Sequence, residues 1–322
     1  MTHTDSARNG MWLAIIAAVL FSAKAVVVKL MYRHGIDATT ALALRMLFAL
    51  PVFAAVAVFE TIKAHRRQTF LDWPTRARIV VLGLCGYYLS SFLDFWGLEY
   101  ISASLERLIL FLNPTLVLLI GLLFLRRPVA RAQWFARCVS YAGIVLVFFE
   151  NLRVDGAHVA FGSALVFMAA LSYALYLLLS GELLKRIGSL RLVAYAMCVS
   201  TVACLIQYAL AHSWPSLLQQ PMPVYQLSLV NAVFCTIIPV YLTMFAIARI
   251  GAATTAQTAM VGPVSLLFLG WWILGEMITP VQIVGTVVVL GGIWMLARYN
   301  QTLARVSPGA GSDTAARTAA RR

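Results

Sequence analysis

Residues 101–144 recur at 250–293 with a constant offset of 149 and no gaps. Identical positions are Ile101/Ile250, Ala103/Ala252, Pro114/Pro263, Leu118/Leu267, Gly121/Gly270, Leu125/Leu274, Gln133/Gln282, Val139/Val288, Gly143/Gly292 and Ile144/Ile293. Each copy holds two long apolar segments joined by a short polar turn, and three further apolar segments precede each copy. The repeating unit thus has five segments. If they cross a bilayer, an odd number makes the second unit start on the opposite side, so the halves are inverted relative to each other.

With 61% hydrophobic and 11% charged residues, the chain is too apolar for a soluble domain. Apolar stretches near the ~18–20 residues that cross a hydrocarbon core fall at 11–31, 38–59, 77–98, 103–125, 132–150, 158–180, 190–211, 224–248, 252–274 and 280–297. The expectation is an all-α polytopic membrane protein, with ten transmembrane helices as two inverted five-helix repeats. Helices are required because lipid offers no partner to an open backbone donor, and the period-2 alternation of an outer-membrane barrel is missing. The expected organisation is a cytoplasmic N-terminus over 1–10, a first repeat over 11–150, a second over 158–298 and a disordered cytoplasmic tail over 299–322.

The formal net charge of +13 could suggest nucleic acid, but the placement of the basic residues argues otherwise. With the N-terminus inside, internal loops and tails collect eighteen of the 25 Lys and Arg, among them Arg8, Arg66, Arg67, Arg78, Arg126, Arg127, Arg186 and Arg298, against Arg33 and Arg153 outside. This positive-inside asymmetry predicts both termini in the cytoplasm of a bacterial-type inner membrane, with no nucleic-acid partner. The five cysteines fall inside expected helices without a CxxC pair, so neither a disulfide framework nor a metal site is expected, and no cofactor.

Four prolines, Pro51, Pro114, Pro239 and Pro263, fall inside spans, where each deletes a backbone hydrogen bond. Pro114 and Pro263 are equivalent in the two copies, in spans four and nine, where a paired bend would open space between the halves. The patterns ISASLERLILFLNPTLVLLIGLLFLRRP and IGAATTAQTAMVGPVSLLFLGWWILGEMITP resemble the paired modules of EamA-type proteins of the drug/metabolite transporter superfamily. The helix-ending Leu-Gly-Glu of that family is matched at Leu274, Gly275 and Glu276, whereas the first copy has Leu125, Arg126 and Arg127. The resemblance spans all ten segments and implies an export-type carrier of ten helices, of a family that carries many unrelated solutes.

Ionisable residues inside a membrane are costly and therefore functional candidates. The expected topology puts Lys24, Arg45, Asp94, Glu106 and Arg107 in one layer towards the outer side, where a carboxylate or phosphate could dock. Arg45 matches an arginine often found in the second span of the family; an ion pair to Asp94 or Glu106 and a substrate contact are both open to it. Glu106 and Arg107 point to adjacent faces, with one member placed at an extracellular gate. Polar stripes on helical spacing, Tyr87, Ser91 and Asp94 in span three and Tyr173, Tyr176 and Ser180 in span six, suggest cavity walls. Asn113 beside Pro114, and Thr254, Gln257 and Thr258 in span nine, extend the set. The alternative role of such residues is to glue helices together. Spans one, three, four, six, eight and nine are expected to surround the cavity.

These features point to a secondary transporter exporting a small metabolite by alternating access: an amino acid or another small polar or amphipathic solute, anionic ones included, with protons as candidate coupling ion. Span one has lysines and no acid, against a cationic drug. The competing classes are a membrane-embedded enzyme acting on lipid intermediates and a non-transporting sensor. For an enzyme no catalytic residues stand out: the five histidines are scattered, and neither HExxH nor GxSxG occurs. The oligomeric state and the solute are not encoded in any motif.

Overall fold

The computed structural model describes residues 3–125, 131–155, 158–259 and 261–306, and all regular structure among them is helical. The helices are α1 (His3–Tyr32), α2 (Ala38–Arg66), α3 (Trp73–Leu98), α4 (Ala103–Leu110), α5 (Asn113–Leu125), α6 (Arg131–Asp155), α7 (His158–Ile187), α8 (Ser189–Ala211) and a short α9 (Trp214–Leu218). They are followed by α10 (Met222–Thr258), α11 (Val261–Leu274) and α12 (Pro280–Val306). Seven helical segments are long and apolar enough to cross a membrane. Three shorter apolar stretches, Tyr141–Glu150, Val261–Leu274 and Pro280–Gly292, coincide with the other three stretches expected from the sequence. Helix α12 continues through Val306, past the residue where the sequence analysis ends the last span. Residues 307–322 of the expected tail, and Arg126 and Arg127, lie outside the described residues.

Local chemistry sets the helix ends. Asp37 caps α2 by accepting from Thr40 N at 3.3 Å, and Ser102 caps α4 by accepting from Leu105 N at 3.2 Å. Gly275, at φ 71°, ends α11 in the left-handed conformation that glycine adopts without strain, which accounts for the middle residue of Leu-Gly-Glu. The prolines act in two ways. Pro51 is carried inside a continuous α2, whereas the Pro114 and Pro263 segments contain breaks rather than bends: Phe111–Leu112 separate α4 from α5, and α10 ends at Thr258 with Ala259 in a turn. Helices α3 and α10 each contain a π-helical turn, at Leu84–Leu89 and Val233–Ile237, and α11 ends in a third at Gly270–Leu274. Each such turn adds a residue to the local repeat and shifts the face presented beyond it.

The extensive helix contacts join the two halves. α1 packs on α10 and α11, α2 on α8, α3 and α5 on α7, and α6 on α12. Two of these contacts are glycine to glycine. A Cβ on Gly97 would lie 2.8 Å from Gly162 O, and one on Gly143 would lie 2.6 Å from Gly285 O, so the backbones approach as closely as small residues allow. At one end of the bundle Arg33 Nη2 donates to Leu274 O at 2.5 Å, Ala38 N to Glu99 Oε1 at 2.7 Å, and His212 Nε2 lies 3.1 Å from Asp37 Oδ2. Burial pushes the Asp37 carboxyl up, but hydrogen bonds from Thr40 and the adjacent His212 outweigh it and hold it below its ordinary value. The opposite end is tied by Thr61 to Tyr195 at 2.7 Å and by Arg186 to Asp72 at 3.4 Å.

Because Gly97 and Gly143 meet backbone that cannot rotate away, Gly97→Val and Gly143→Val should each cost about 1–3 kcal/mol through overpacking. Thermal unfolding in detergent should show a lower midpoint for both. Gly291→Ala, whose added Cβ meets nothing from neighbouring helices within 4 Å, should not lower the midpoint.

Candidate functional site

A cavity of about 330 Å³ lies where α1, α2, α3, α4, α5, α7, α8 and α10 converge. Eight of the residues singled out from the sequence line it: Lys24, Arg45, Tyr87, Ser91, Asp94, Arg107, Asn113 and Tyr173. The Lys24 ammonium is hydrogen-bonded to Asp94 Oδ2 and lies 3.2 Å from Glu106 Oε1. One cation from α1 thus serves two carboxylates from α3 and α4. Glu106 is fully buried, and its two oxygens and Asp94 Oδ1 receive no hydrogen bond. The 3.2 Å approach of Lys24 is accordingly an ion pair without hydrogen-bond alignment.

The two arginines are placed differently. Of the two roles open to Arg45, the ion pair does not form: among the described residues it has no carboxylate within 4 Å, and its Nε donates to Thr236 Oγ1 of α10 at 3.0 Å. Its guanidinium sits over the Phe95 ring, 5.2 Å from the centroid. Arg107 likewise rests on a ring, 5.6 Å from the centre of Phe111, with its Nε unpartnered. A Cβ on Gly262 would lie 3.2 Å from Arg107 Nη2, so this position of the second copy leaves room for the guanidinium. Three cations and two acids around one cavity leave a formal excess of one positive charge. The unpartnered Asn113 Oδ1 and the first residue of α5, whose N-terminal end carries positive dipole, complete the polar wall.

Tyrosines form the other wall. Tyr87 and Tyr176 pack edge to face at 5.1 Å with hydroxyls 3.2 Å apart, and Tyr173 stacks on Tyr176 at 5.5 Å. Tyr176 stands behind the lining, nearly fully buried, so its part is to support the other two. A Cβ on Gly86 would lie 2.3 Å from Tyr176 Cγ, which explains a glycine inside the π-helical turn that carries Tyr87.

Among the described residues of span nine, none is a lining side chain: Thr258 Oγ1 donates to Thr254 O of its own helix at 2.9 Å, and Pro263 is buried. Spans two and seven also enter, through Arg45 and Met197. The side chains of Gln257 and Pro114 lie outside the described residues. Thr236, Phe95 and Phe111 were not singled out from the sequence; the only signal for Thr236 was its nearness to Pro239. Glu276 was noticed as part of a motif, and its place was not: it accepts from Ala103 N at 3.1 Å and Ser104 Oγ at 3.3 Å, capping α4 from the other half.

A helical membrane protein whose halves enclose a charged and aromatic cavity has the build of a solute carrier. The chain belongs to the EamA-like transporter family, which matches residues 8–149 and again 160–298. It is 29% identical over 296 residues to the uncharacterized transporter YcbK of Bacillus subtilis, covering 90% of this chain and 92% of the relative. A probable terminal-alkyne amino-acid exporter of Streptantibioticus cattleyicolor is 26% identical over 74% of this chain and 77% of its own length. The S-adenosylmethionine/S-adenosylhomocysteine transporter of Chlamydia trachomatis is 26% identical over 71% and 72%. A crystal structure of another protein superposes with a TM-score of 0.61 at 15% identity, covering 93% of this chain and 99% of the other, a likeness of fold.

Removing a buried cation that serves two acids should be costly. Lys24→Met should destabilise the protein by about 3–5 kcal/mol, and adding Asp94→Asn and Glu106→Gln should recover most of that loss. Arg45→Leu leaves no orphan, because Thr236 Oγ1 also lies 3.1 Å from Asn231 O, so its cost should stay within about 1 kcal/mol. Thermal unfolding of the four proteins checks both statements.

Proposed function

We propose that this protein is a secondary exporter of small anionic or amphipathic metabolites, amino acids among them, working by alternating access in a bacterial inner membrane with both termini in the cytoplasm. The observation that carries the reading is the pair Arg45 and Arg107: two cations at a cavity within the membrane, each resting on an aromatic ring while Lys24 holds both acids. Charge held so deep is expensive unless it meets an opposite charge, and a substrate carboxylate supplies one. The tyrosine wall suits the apolar or aromatic body of such a solute. The relatives named for amino-acid export and S-adenosylmethionine transport support the same class of cargo. Asp94 and Glu106 are the groups that would exchange a coupling proton. No catalytic step belongs to this reading.

The transport cycle rests on ten spans in two inverted halves, 11–150 and 158–298. The packing supports that symmetry. Numbering the spans one to ten and exchanging each with the span five places away turns the contact of one with eight into that of six with three, and one with nine into six with four. The contacts of two with seven and five with ten map onto themselves. All of these contacts are present. The two family matches, one per half, agree with it.

Proteoliposomes loaded with a panel of amino acids and aromatic carboxylates should release at least one of them by a saturable route. Arg45→Leu and Arg107→Gln should lower that flux at least tenfold at normal protein level. Full flux in both variants, or transport confined to organic cations, would overturn the anion reading. Glu106→Gln should flatten the dependence of flux on an imposed pH gradient. Reporter fusions after Arg67, Gly156 and Arg322 should read inside, outside and inside.

A further inference from the structure

Helices α3 and α7 touch at Gly97 and Gly162, and near their other ends they enclose a separate groove of about 570 Å³. One face of α3 lines it with Ala77, Arg78, Val81 and Leu82, and Leu179, Leu183 and Arg186 follow at i, i+4 and i+7 on α7. Leu179 is 60% exposed, and Val81 is exposed beside it. Trp73, the exposed first residue of α3, marks the membrane interface. Arg78 starts little more than one turn deeper, within reach of the headgroup layer by its own stem. The groove is therefore apolar along its length with a guanidinium from each half.

Among the described residues, the neighbouring charges do not neutralise it. Arg186 meets Asp72 at 3.4 Å, both side chains at least half exposed, and Thr75 Oγ1 at 3.2 Å. Such an exposed pair holds weakly. Arg76 adds a further cation on the first turn of α3, where its Nε donates to Leu71 O at 3.0 Å.

We propose that this groove binds an anionic phospholipid, its phosphate between Arg78 and Arg186 and an acyl chain along Val81 and Leu179. Basic pockets between transmembrane helices suit such headgroups, and each arginine near an anionic surface adds to the attraction. A free phosphate would satisfy the arginines and leave the apolar floor uncovered, so the lipid is the occupant that matches both parts. Because Arg78 belongs to the first repeat and Arg186 to the second, the bound lipid bridges the halves at the end away from the charge layer. The site is independent of the identity of the transported solute.

Full-length protein in nanodiscs with equal phosphatidylglycerol and phosphatidylcholine is released into native mass spectrometry. Wild type should retain phosphatidylglycerol and lose phosphatidylcholine. In a phosphatidylglycerol titration, Arg78→Gln with Arg186→Gln should bind roughly thirtyfold more weakly. Leu179→Trp, which fills the groove and keeps both arginines, should also lose the lipid, and it decides the matter if the double variant fails to fold. Arg66→Gln with Arg67→Gln should bind as wild type. Unchanged affinity in the double variant or in Leu179→Trp, equal retention of phosphatidylcholine, or inorganic phosphate raising the thermal midpoint as far as phosphatidylglycerol does would overturn the proposal.

Discussion

One ammonium and two carboxylates organise the interior. Lys24 on α1 meets Asp94 on α3 and Glu106 on α4, and away from water none of the three can be left alone without a penalty of several kcal/mol. The three helices are therefore held in one relative position by charge as well as by packing. The same pairing determines what remains. With both acids occupied, Arg45 and Arg107 lean on the faces of Phe95 and Phe111. Ring faces attract a desolvated cation by about 2 kcal/mol, less than a well-aligned carboxylate offers, so both guanidiniums remain available to an anion that enters.

Space for the cavity comes from interruptions in the helices. The proline of each copy stands just after a break, and π-helical turns in α3 and α10 carry Tyr87 on one side of the cavity and Cys235 and Thr236 on the other. An uninterrupted α-helix satisfies its own backbone and presents a smooth wall. Freeing a turn exposes polar backbone, which inside a membrane is tolerable only where protein or a cavity receives it.

Much of this was legible beforehand because bilayer constraints act on long runs of residues. Span positions follow from apolar length, and the shared layer of Lys24, Arg45, Asp94, Glu106 and Arg107 follows from depth along each span. Rotation about the helix axis was harder. Tyr87, Ser91 and Asp94 share a face by spacing, and all three line the cavity. Tyr173 and Tyr176 also share a face by spacing, yet only Tyr173 lines it. Nothing local distinguishes those two tyrosines. Partner choice was harder still, since Lys24 and Arg45 share one layer with the same acids and the outcome depends on helix packing. Thr236 became visible only once α10 was seen to face α2.

The cap that Glu276 places on α4 is not repeated in the sequence of the other half. It accepts from Ala103 N and Ser104 Oγ one turn ahead of Glu106 and Arg107, so it fastens the helix that carries the charge layer. Under the offset of 149, Glu276 corresponds to Arg127, Ala103 to Ala252 and Ser104 to Ala253. An arginine has donors and no acceptor, so it cannot receive an amide hydrogen bond at a helix start, and alanine supplies no hydroxyl. If the halves exchange roles during transport, closure at the Glu276 end gains a charge-assisted cap that closure at the opposite end lacks. Two inverted copies with identical latches would favour neither closure; on the proposed reading of inverted halves, this substitution pattern would weight the pair towards the arrangement in which α4 is capped.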